Sequence, residues 1–430
     1  MFKSIVRSLM ERRVKKYFNK YKPILVVVTG SVGKTSTKTA IATVLSEKFR
    51  VRAHDGNHNM DVSVPPALLG VTFPDEVHSV SSWIQVLRAM TLRISEPKDV
   101  DVIVQELGTD KPGDVPYFGK YLKPDIAVVT AVSDEHMMNF GSLDDVAKEE
   151  LSVASYSKLT IINRDDIDAH FSSYASTANI DTYGLDAHAE YRLVVEPANP
   201  LDGRAGKLVA PEWGELPISA QLVGDHALKA AAAAACVATK LGLSSKQIAV
   251  GVSKIRPTKG RMNVLRGLEG STLIDDTYNS SPLAVQAALR TLYAIDAPQR
   301  IAILGSMNEL GVTSAASHES AGKLCDPSKL EWVVTIGDEA AKNLAPAAEK
   351  QGCQVRSFTT PYQAGGFVHS VLRHGAVVLA KGSQNGVFAE EAVKELLHST
   401  EDEEQLVRQS EYWQKVKEEQ FSAFSDTVAE

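Results

Sequence analysis

The sequence has no long apolar run, little cysteine and no excess of basic residues. No stretch approaches the roughly 20 apolar residues that a membrane-spanning helix needs. The three cysteines, Cys236, Cys325 and Cys353, form no zinc motif and no evident disulfide framework, which is typical of a reducing cytoplasm. The net charge of −7 does not favour nucleic-acid binding. The basic N-terminus lacks an uninterrupted apolar core, so no secretory signal is predicted.

What remains is the composition of a folded protein with more than one core. The 430 residues exceed what one hydrophobic core usually holds, so two or three domains are expected. The hydrophobic share of 44% and the charged share of 23% are ordinary for a globular chain.

A short glycine loop follows the first apolar run. Residues 28–38 read VTGSVGKTSTK, which predicts the end of a buried strand, a tight turn and the start of a helix. Gly30 and Gly33 let the backbone wrap around a phosphate, and the amides at the helix start favour anionic oxygens. Lys34 is placed to reach the β- and γ-phosphates, and the Thr35 hydroxyl to bind Mg²⁺. The context predicts a nucleoside triphosphate site; a surface turn that happens to contain lysine is the alternative.

Apolar stretches alternate with helical ones, which predicts a mainly parallel sheet covered on both faces. The predicted strands of the first part are 24–29, 51–54, 100–106, 125–132 and 159–163, with helices at 35–48, 143–157 and 225–241 and a small β insertion at 187–222. Proline and glycine within 256–261 suit a hinge. Beyond it, strands are predicted at 271–275, 300–304, 332–336 and 376–380, and a last helix after the acidic run 401–404.

Two polar residues follow predicted strands. Glu106 ends an apolar strand, where parallel sheets bind ligands, so it is a candidate to hold Mg²⁺ beside the glycine loop. His136 follows the strand 125–132 and is a candidate ligand for a second metal. A surface glutamate and a structural histidine are the alternatives.

Residues 1–22 carry eight basic side chains against the single acid Glu11, and apolar residues recur among them at helical spacing. One interpretation is a helix on an anionic membrane surface. The other is a helix that packs on the protein and turns its basic side to solvent.

These motifs, in this order, resemble the Mur ligases, which use ATP to join an amino acid or peptide to a carboxylate, and within them the enzymes that add D-alanyl-D-alanine. The resemblance covers about residues 23–395. The matching segments are 29–38, 56–59, 106–108, His136 with 140–142, 163–166, 260–261, 275–279, 309–311 with His318, and 381–383. It implies a central ATP-binding domain with a mostly parallel sheet over 23–257 and a C-terminal Rossmann-like α/β domain over 258–430, after the helix 1–22.

The resemblance also implies roles for single residues. The residues assigned to ATP are Gly30, Ser31, Gly33, Lys34, Thr35, Ser36, His226, Arg261, Asp276 and Asn279. Two Mg²⁺ ions are assigned to Thr35, Glu106, His136 and Glu150, and substrate contacts to Asn59 and Lys381. Lys34, His136, Glu150 and Arg261 are expected to be catalytic.

The sequence also departs from the family pattern. The family's muramoyl-peptide ligases have a domain that grips a UDP-sugar before the glycine loop, whereas this loop begins at residue 30, so we expect that domain to be absent and a partner subunit to be one way to replace it. Glu150 stands where many relatives have a carbamylated lysine. The usual asparagine near the adenine is missing after His226, and Ser306 and Gln384 replace an aspartate and an arginine on the amine side.

These features predict a cytoplasmic ligase of cell-wall synthesis that acts on a small peptide or amino-sugar substrate through an acyl-phosphate, without nucleic acid. A ligase for another acid, such as a folate, a polyamino-acid or a lipid-linked peptide, is one alternative. A nucleotide-binding scaffold that has lost catalysis is the other.

Overall fold

A computed structural model describes residues 2–422, except for 55, 57, 75, 135–136, 176–178 and 197. The first nine strands are β1 Ile24–Thr29, β2 Val51–Ala53, β3 Val102–Glu106, β4 Ile126–Val129, β5 Leu159–Asn163, β6 Ile180–Gly184, β7 Tyr191–Val195, β8 Arg204–Ala210 and β9 Gly214–Ala220. They form one sheet in the order β2-β3-β1-β4-β5-β6-β7-β8-β9. Neighbours are parallel as far as β7 and antiparallel beyond it.

Helices cover both faces of this sheet. They are α1 Phe2–Tyr21, α2 Lys34–Leu45, α3 Val64–Leu69, α4 Val80–Ser95, α5 Asp114–Phe118, α6 Leu143–Leu151, α7 Asp225–Lys240 and α8 Ser245–Ser253. The core on one face is built with α1, α3, α4, α5 and α6, and the core on the other with α2, α7 and α8. Alanines 230–235 of α7 are all buried beside α2, since their small side chains allow the two helices to approach closely.

A second sheet follows the connection between α8 and the next strand. Its strands are β10 Asn263–Arg266, β11 Thr272–Asp276, β12 Arg300–Gly305, β13 Trp332–Ile336, β14 Val355–Phe358 and β15 Val377–Lys381, in the order β10-β11-β15-β12-β13-β14. Only the pair β10–β11 among these is antiparallel. Its helices are α9 Pro282–Ala294, α10 Ser314–Lys323, α11 Ala345–Lys350, α12 Pro361–Val371, α13 Glu390–Lys394 and α14 Glu411–Phe421.

The predicted fold class is confirmed, with differences at particular elements. The strand predicted over 125–132 ends at Val129, because the chain then turns to pair with the glycine loop: Ser31 N donates to the Ala131 carbonyl at 2.9 Å. The helix predicted over 143–157 is α-helical only as far as Leu151. Helix α4 and strands β6, β10 and β14 were not predicted. The domain limits at residues 22/23 and 257/258 stay predictions.

The apolar stripe of α1 packs on the protein. Val6, Met10, Val14 and Tyr17 are buried in the core that α1 shares with α3 and α4. This is what the second interpretation of residues 1–22 predicts, so the stripe itself is not a membrane-facing surface. Among the described residues, no helix is both long enough and apolar enough to cross a membrane.

Candidate active site

The glycine loop connects β1 to α2 at the carboxyl edge of the first sheet. Gly30 and Gly33 have φ of 122° and 87°, a left-handed region that favours glycine. A Cβ on Gly30 would also lie 2.8 Å from the backbone nitrogen of Ala131. The Lys34 ammonium folds back over the loop and donates to the Gly30 carbonyl at 2.6 Å. The loop is therefore a tight turn with the Lys34 ammonium folded over it. Backbone amides and a cation at the start of a helix are the groups that bind phosphate in such loops.

A buried cluster lies beside the start of α2. The parallel register sets Val28 of β1 beside Glu106 of β3, so the Glu106 carboxylate faces the helix start. Its Oε2 accepts from the Thr35 hydroxyl at 3.0 Å, and its Oε1 from the Asn59 amide at 3.2 Å. Glu106 is 2% exposed. The Lys38 ammonium lies 3.8 Å from Oε2. Three predicted residues thus meet in one place, and Lys38 joins them.

Sequence reasoning assigned no role to Lys38, although it lies one helical turn after Lys34 in the quoted motif. Within the described residues, no three His, Cys, Asp or Glu side chains converge on one point. A metal bound here would take one hydroxyl and one carboxylate oxygen from Thr35 and Glu106 and would need further oxygens from its ligand or from water. That donor set suits Mg²⁺, which usually binds one or two carboxylates together with phosphate oxygens.

Glu150 is held at the first residue of the glycine loop. Its Oε2 accepts from the backbone nitrogen of Gly30 at 2.8 Å and from the Thr29 hydroxyl, and the side chain is 1% exposed. Lys148 points away, as its helical position predicts, and pairs with Asp144 at 2.5 Å. His136, the predicted metal ligand near Glu150, lies outside the described residues.

The neighbouring Glu149 has a different role, which sequence reasoning missed. Its carboxylate accepts from the backbone nitrogens of Val115 at 2.7 Å and Gly113 at 2.8 Å, and it is 5% exposed. It thereby binds the first turn of α5 to α6. Two adjacent buried glutamates on α6 thus serve different loops, because successive helical residues point about 100° apart.

The second sheet contributes a basic and polar group. The Lys381 ammonium pairs with Asp276 at 2.9 Å, and both side chains are buried. Burial lowers the pKa of Lys381, although Asp276 beside it opposes the shift. The Arg261 guanidinium lies over the Tyr278 ring, with Cζ 4.3 Å from the ring centroid. Its buried Nε has no hydrogen-bond partner among the described residues, which leaves a charged donor available for an anionic ligand.

Two adjoining cavities lie between the sheets. The first, of about 340 Å³, is lined from the glycine-loop side and from the second sheet by Ser31, Gly33, Lys34, Thr35, Asn59, Glu106, Arg261 and Asn279, among others. The second, of about 100 Å³, is lined among others by Gly33, Ser36, His226, Arg261, Asp276 and Lys381. Arg261 lines both. Burial lowers the pKa of His226, so its ring faces the second cavity in the neutral form at ordinary pH.

The C-terminal segment supports the loop that carries Tyr278. The Arg408 guanidinium donates to the carbonyls of Thr277 at 2.8 Å and Tyr278 at 3.1 Å. It also pairs with Glu390 at 2.7 Å, and Lys417 pairs with the same carboxylate at 3.3 Å. Thr277, Glu390 and Lys417 are buried. No sequence motif predicted this contact.

Comparisons with known proteins confirm the resemblance that the motifs indicated. Residues 28–238 match the family described as Mur ligase middle domain, and residues 260–384 match Mur ligase, glutamate ligase domain. A relative from Bacillus subtilis (strain 168), UDP-N-acetylmuramoyl-tripeptide--D-alanyl-D-alanine ligase, is 25% identical over 395 residues, which cover 91% of this chain and 80% of that protein.

Two solved structures share the fold. MurF from Acinetobacter baumannii has a TM-score of 0.75 and 23% identity, covering 92% of this chain and 81% of its own. MurF ligase from Thermotoga maritima, in complex with ADP, has a TM-score of 0.74 and 22% identity, covering 90% and 83%. At these identities the structures establish the fold alone.

Proposed function

The chain belongs to the Mur ligase family, and on that premise we propose that it is an ATP-dependent ligase that joins a muramoyl peptide to D-alanyl-D-alanine or a similar dipeptide. The observation that carries the proposal is the cavity between the two sheets. The glycine loop with Lys34 lines one side of it, and Arg261 lines the other. A triphosphate between them would be contacted by cations from both units.

We assign ATP to these two adjoining cavities. Backbone amides of the loop and Lys34 would hold the β- and γ-phosphates, and Arg261 would contact them through its unpartnered Nε. His226, Asp276 and Lys381 line the smaller cavity, where the nucleoside would lie. The Thermotoga maritima structure, which was solved in complex with ADP, shares this fold.

We propose that Thr35 and Glu106 hold one Mg²⁺ and that His136 and Glu150 contribute to a second site. The 3.0 Å contact between the Thr35 hydroxyl and Glu106 fits the first, since both oxygens can bind the same ion once the hydroxyl hydrogen turns away. Mg²⁺ there would neutralise charge on the phosphates. Glu150 is a candidate because its carboxylate is buried directly beneath the glycine loop.

The chemistry follows from the weakness of a carboxylate as an electrophile. The substrate carboxylate attacks the γ-phosphorus of ATP, ADP leaves, and an acyl-phosphate forms. The amine of the second substrate then attacks the acyl carbon, an amide bond forms, and inorganic phosphate leaves with loss of the amine proton. Lys34 and Arg261 stabilise the negative charge during phosphoryl transfer. Enclosure between the two units keeps water from hydrolysing the acyl-phosphate.

The amine D-alanyl-D-alanine is proposed from the names of the relatives. Residues 382–386 follow β15, and the Asn308 side-chain amide holds them by donating to the Asn385 carbonyl at 2.9 Å. Asn308 and Gln384 both line the cavity of about 340 Å³. Because neutral Gln384 stands where an arginine is expected, a dipeptide with an altered carboxyl end is the variant to test beside D-alanyl-D-alanine.

A substrate screen tests the proposal. Purified protein with ATP and Mg²⁺ is given UDP-linked and UDP-free muramoyl tripeptides, each with D-alanyl-D-alanine and other dipeptides, and phosphate release and product mass are measured. Product that carries the mass of both substrates less one water supports the proposal. If ATP were consumed only with a folate or a polyamino-acid, that compound and not the muramoyl peptide would be the acid substrate. If no pair of substrates led to ATP consumption, the protein would not be a ligase.

We further propose a cytoplasmic location, where UDP-linked precursors and ATP are available. A partner subunit that grips the nucleotide sugar would be detected by co-purification and by a lower KM for the UDP-linked acid in the complex. The membrane interpretation of residues 1–22 then concerns the exposed side of α1, because Val6, Met10, Val14 and Tyr17 are buried.

A further inference from the structure

Helices α1 and α4 lie side by side and run in the same direction. Arg13 of α1 donates to the Leu87 carbonyl of α4 at 3.1 Å, and Lys20, two turns later, donates to the Ile94 carbonyl at 2.7 Å. Their inner sides are buried in one core. Their solvent-exposed sides are here called the outer helix face.

This face exposes large apolar side chains. On α4, Val80, Ile84 and Leu92 are 54%, 43% and 64% exposed, and their intervals of four and eight residues spread them over about a third of the helix circumference, apart from the buried Trp83, Val86 and Met90. On α1, Phe2 and Ile5 are 44% and 53% exposed. With Val77, which precedes α4, the face holds six of the fifteen large hydrophobic side chains that are exposed in the described part of the chain.

The charges of the face are basic. The exposed basic residues are Lys3, Arg12, Lys15, Lys16 and Lys20 on α1 and Arg88 on α4. The one acid of α1, Glu11, turns inward and accepts from the Tyr117 hydroxyl at 2.6 Å. Helix α4 contains no acidic residue; Glu76 and Glu96 lie just beyond its two ends. This positive surface belongs to a chain whose net charge is −7.

We propose that the outer helix face binds the surface of an anionic lipid bilayer. Aliphatic side chains flanked by lysine and arginine suit the boundary between acyl chains and anionic headgroups. A protein partner fits less well, because the centres of protein interfaces are depleted in lysine.

The outer helix face lies near one edge of a cavity between the sheets. Near the Phe2 end of this face, Arg7 pairs with Asp61 at 2.5 Å. Asp61 follows the residues Asn59 and Met60, which line the cavity of about 340 Å³ that also contains Lys34 and Arg261. Membrane contact would thus bring one edge of that cavity close to the bilayer.

Vesicle co-sedimentation of the full chain tests the proposal. Vesicles of phosphatidylcholine with phosphatidylglycerol are compared with phosphatidylcholine alone, in about 0.1 M and about 1 M salt. We expect binding to the anionic vesicles, several-fold weaker binding to neutral ones, and loss of the difference at high salt. Equal and negligible sedimentation with both vesicle types would overturn the proposal.

Two variants and their matched controls locate the contact. Ile84→Ser with Leu92→Ser should lower partitioning onto anionic vesicles about tenfold or more. In the second variant Arg12, Lys15 and Lys16 are changed to serine, and each change should lower partitioning about fivefold. Val194→Ser with Val250→Ser, and Lys246→Ser with Lys329→Ser, alter exposed residues of the same types elsewhere and should leave partitioning unchanged.

Thermal unfolding and light scattering accompany each variant. If the apolar variant misfolds, the basic variant and the salt dependence of the unmodified chain decide the question. Variants that sediment like the unmodified chain would overturn the proposal. The proposal would also be overturned if the unmodified chain formed a dimer and did not bind vesicles, and if Ile84→Ser with Leu92→Ser made it a monomer. The outer helix face would then join two copies of the chain.

Discussion

Thr35 and Glu106 are 71 positions apart in the chain, yet the Thr35 hydroxyl donates to the Glu106 carboxylate at 3.0 Å. Thr35 lies in the first turn of the helix after β1 and Glu106 ends β3, so the parallel register of these two strands brings them together. The contact joins the helix that follows the glycine loop to a buried carboxylate, and the first prediction concerns this carboxylate.

Replacing Glu106 with glutamine should lower kcat on the order of a hundredfold. The amide oxygen can still accept from Thr35, but the negative charge that would hold Mg²⁺ is lost, so the Mg²⁺ concentration for half-maximal rate should rise. Steady-state rates over a Mg²⁺ titration measure both effects. Glu215→Gln, at an exposed side chain, is the matched control, and an unchanged Mg²⁺ dependence in Glu106→Gln would reject the metal assignment.

Replacing Glu150 with glutamine should lower kcat by about a hundredfold while the ATP KM stays within about twofold, if its carboxylate serves a second metal during reaction of the intermediate. The adjacent Glu149→Gln is the contrast. Glu149 binds backbone nitrogens of the α5 turn, so we expect a lower melting temperature and nearly unchanged kcat. Full activity in Glu150→Gln would show that this carboxylate only supports the glycine loop.

Replacing Arg261 with lysine should raise the ATP KM about tenfold. Lysine keeps the charge but loses both the planar stacking on Tyr278 and the Nε donor. ATP titration by calorimetry and steady-state kinetics measure the change. Arg373→Lys, at a side chain that is 63% exposed, controls for the substitution itself; equal ATP affinity in the two variants would remove Arg261 from the nucleotide site.

Replacing Arg408 with lysine should weaken ATP binding by about fivefold through the loop that carries Tyr278. Lysine cannot make the paired contact with Glu390 and also reach the carbonyls of Thr277 and Tyr278, each worth about 1 kcal/mol. We expect the ATP KM to rise more than the KM of either other substrate. A lower melting temperature with unchanged KM for ATP would mean that Arg408 stabilises the fold and nothing more.

The free energy of unfolding should carry a pH dependence from Asp275. Burial raises the pKa of this carboxyl to about 6, against the hydrogen bonds from Thr277. A folded-state pKa above the unfolded one means stability that is present at low pH and lost as pH rises through about 6. The difference in unfolding free energy between Asp275→Asn and the unmodified chain should therefore shift by about 1 kcal/mol in favour of asparagine between about pH 5 and about pH 7. Denaturant titrations measure it, and a pH-independent difference would contradict the raised pKa.

The alternation of strands and helices, the glycine loop and the polar residues at strand ends could be predicted because each depends on residues within a few positions. Strands 24–29, 159–163 and 332–336 were predicted with the bounds that the structure has. The three-residue edge strand β2 was predicted one residue too long. Helix α4 was missed, although Trp83, Val86, Met90 and Ile94 are buried at helical spacing along it.

The amino-acid sequence by itself determined the parallel α/β architecture and the tight glycine loop between β1 and α2, since hydrophobic period and glycine placement act locally along the backbone. Only the tertiary structure decided that Glu149 and Glu150 bind different loops, that Arg408 reaches carbonyls about 130 positions away, and that the apolar stripe of α1 faces inward while other side chains of α1 and α4 face out. Those relationships depend on strand order, register and helix rotation. Such quantities are set by how the whole core closes, and no short stretch of sequence contains them.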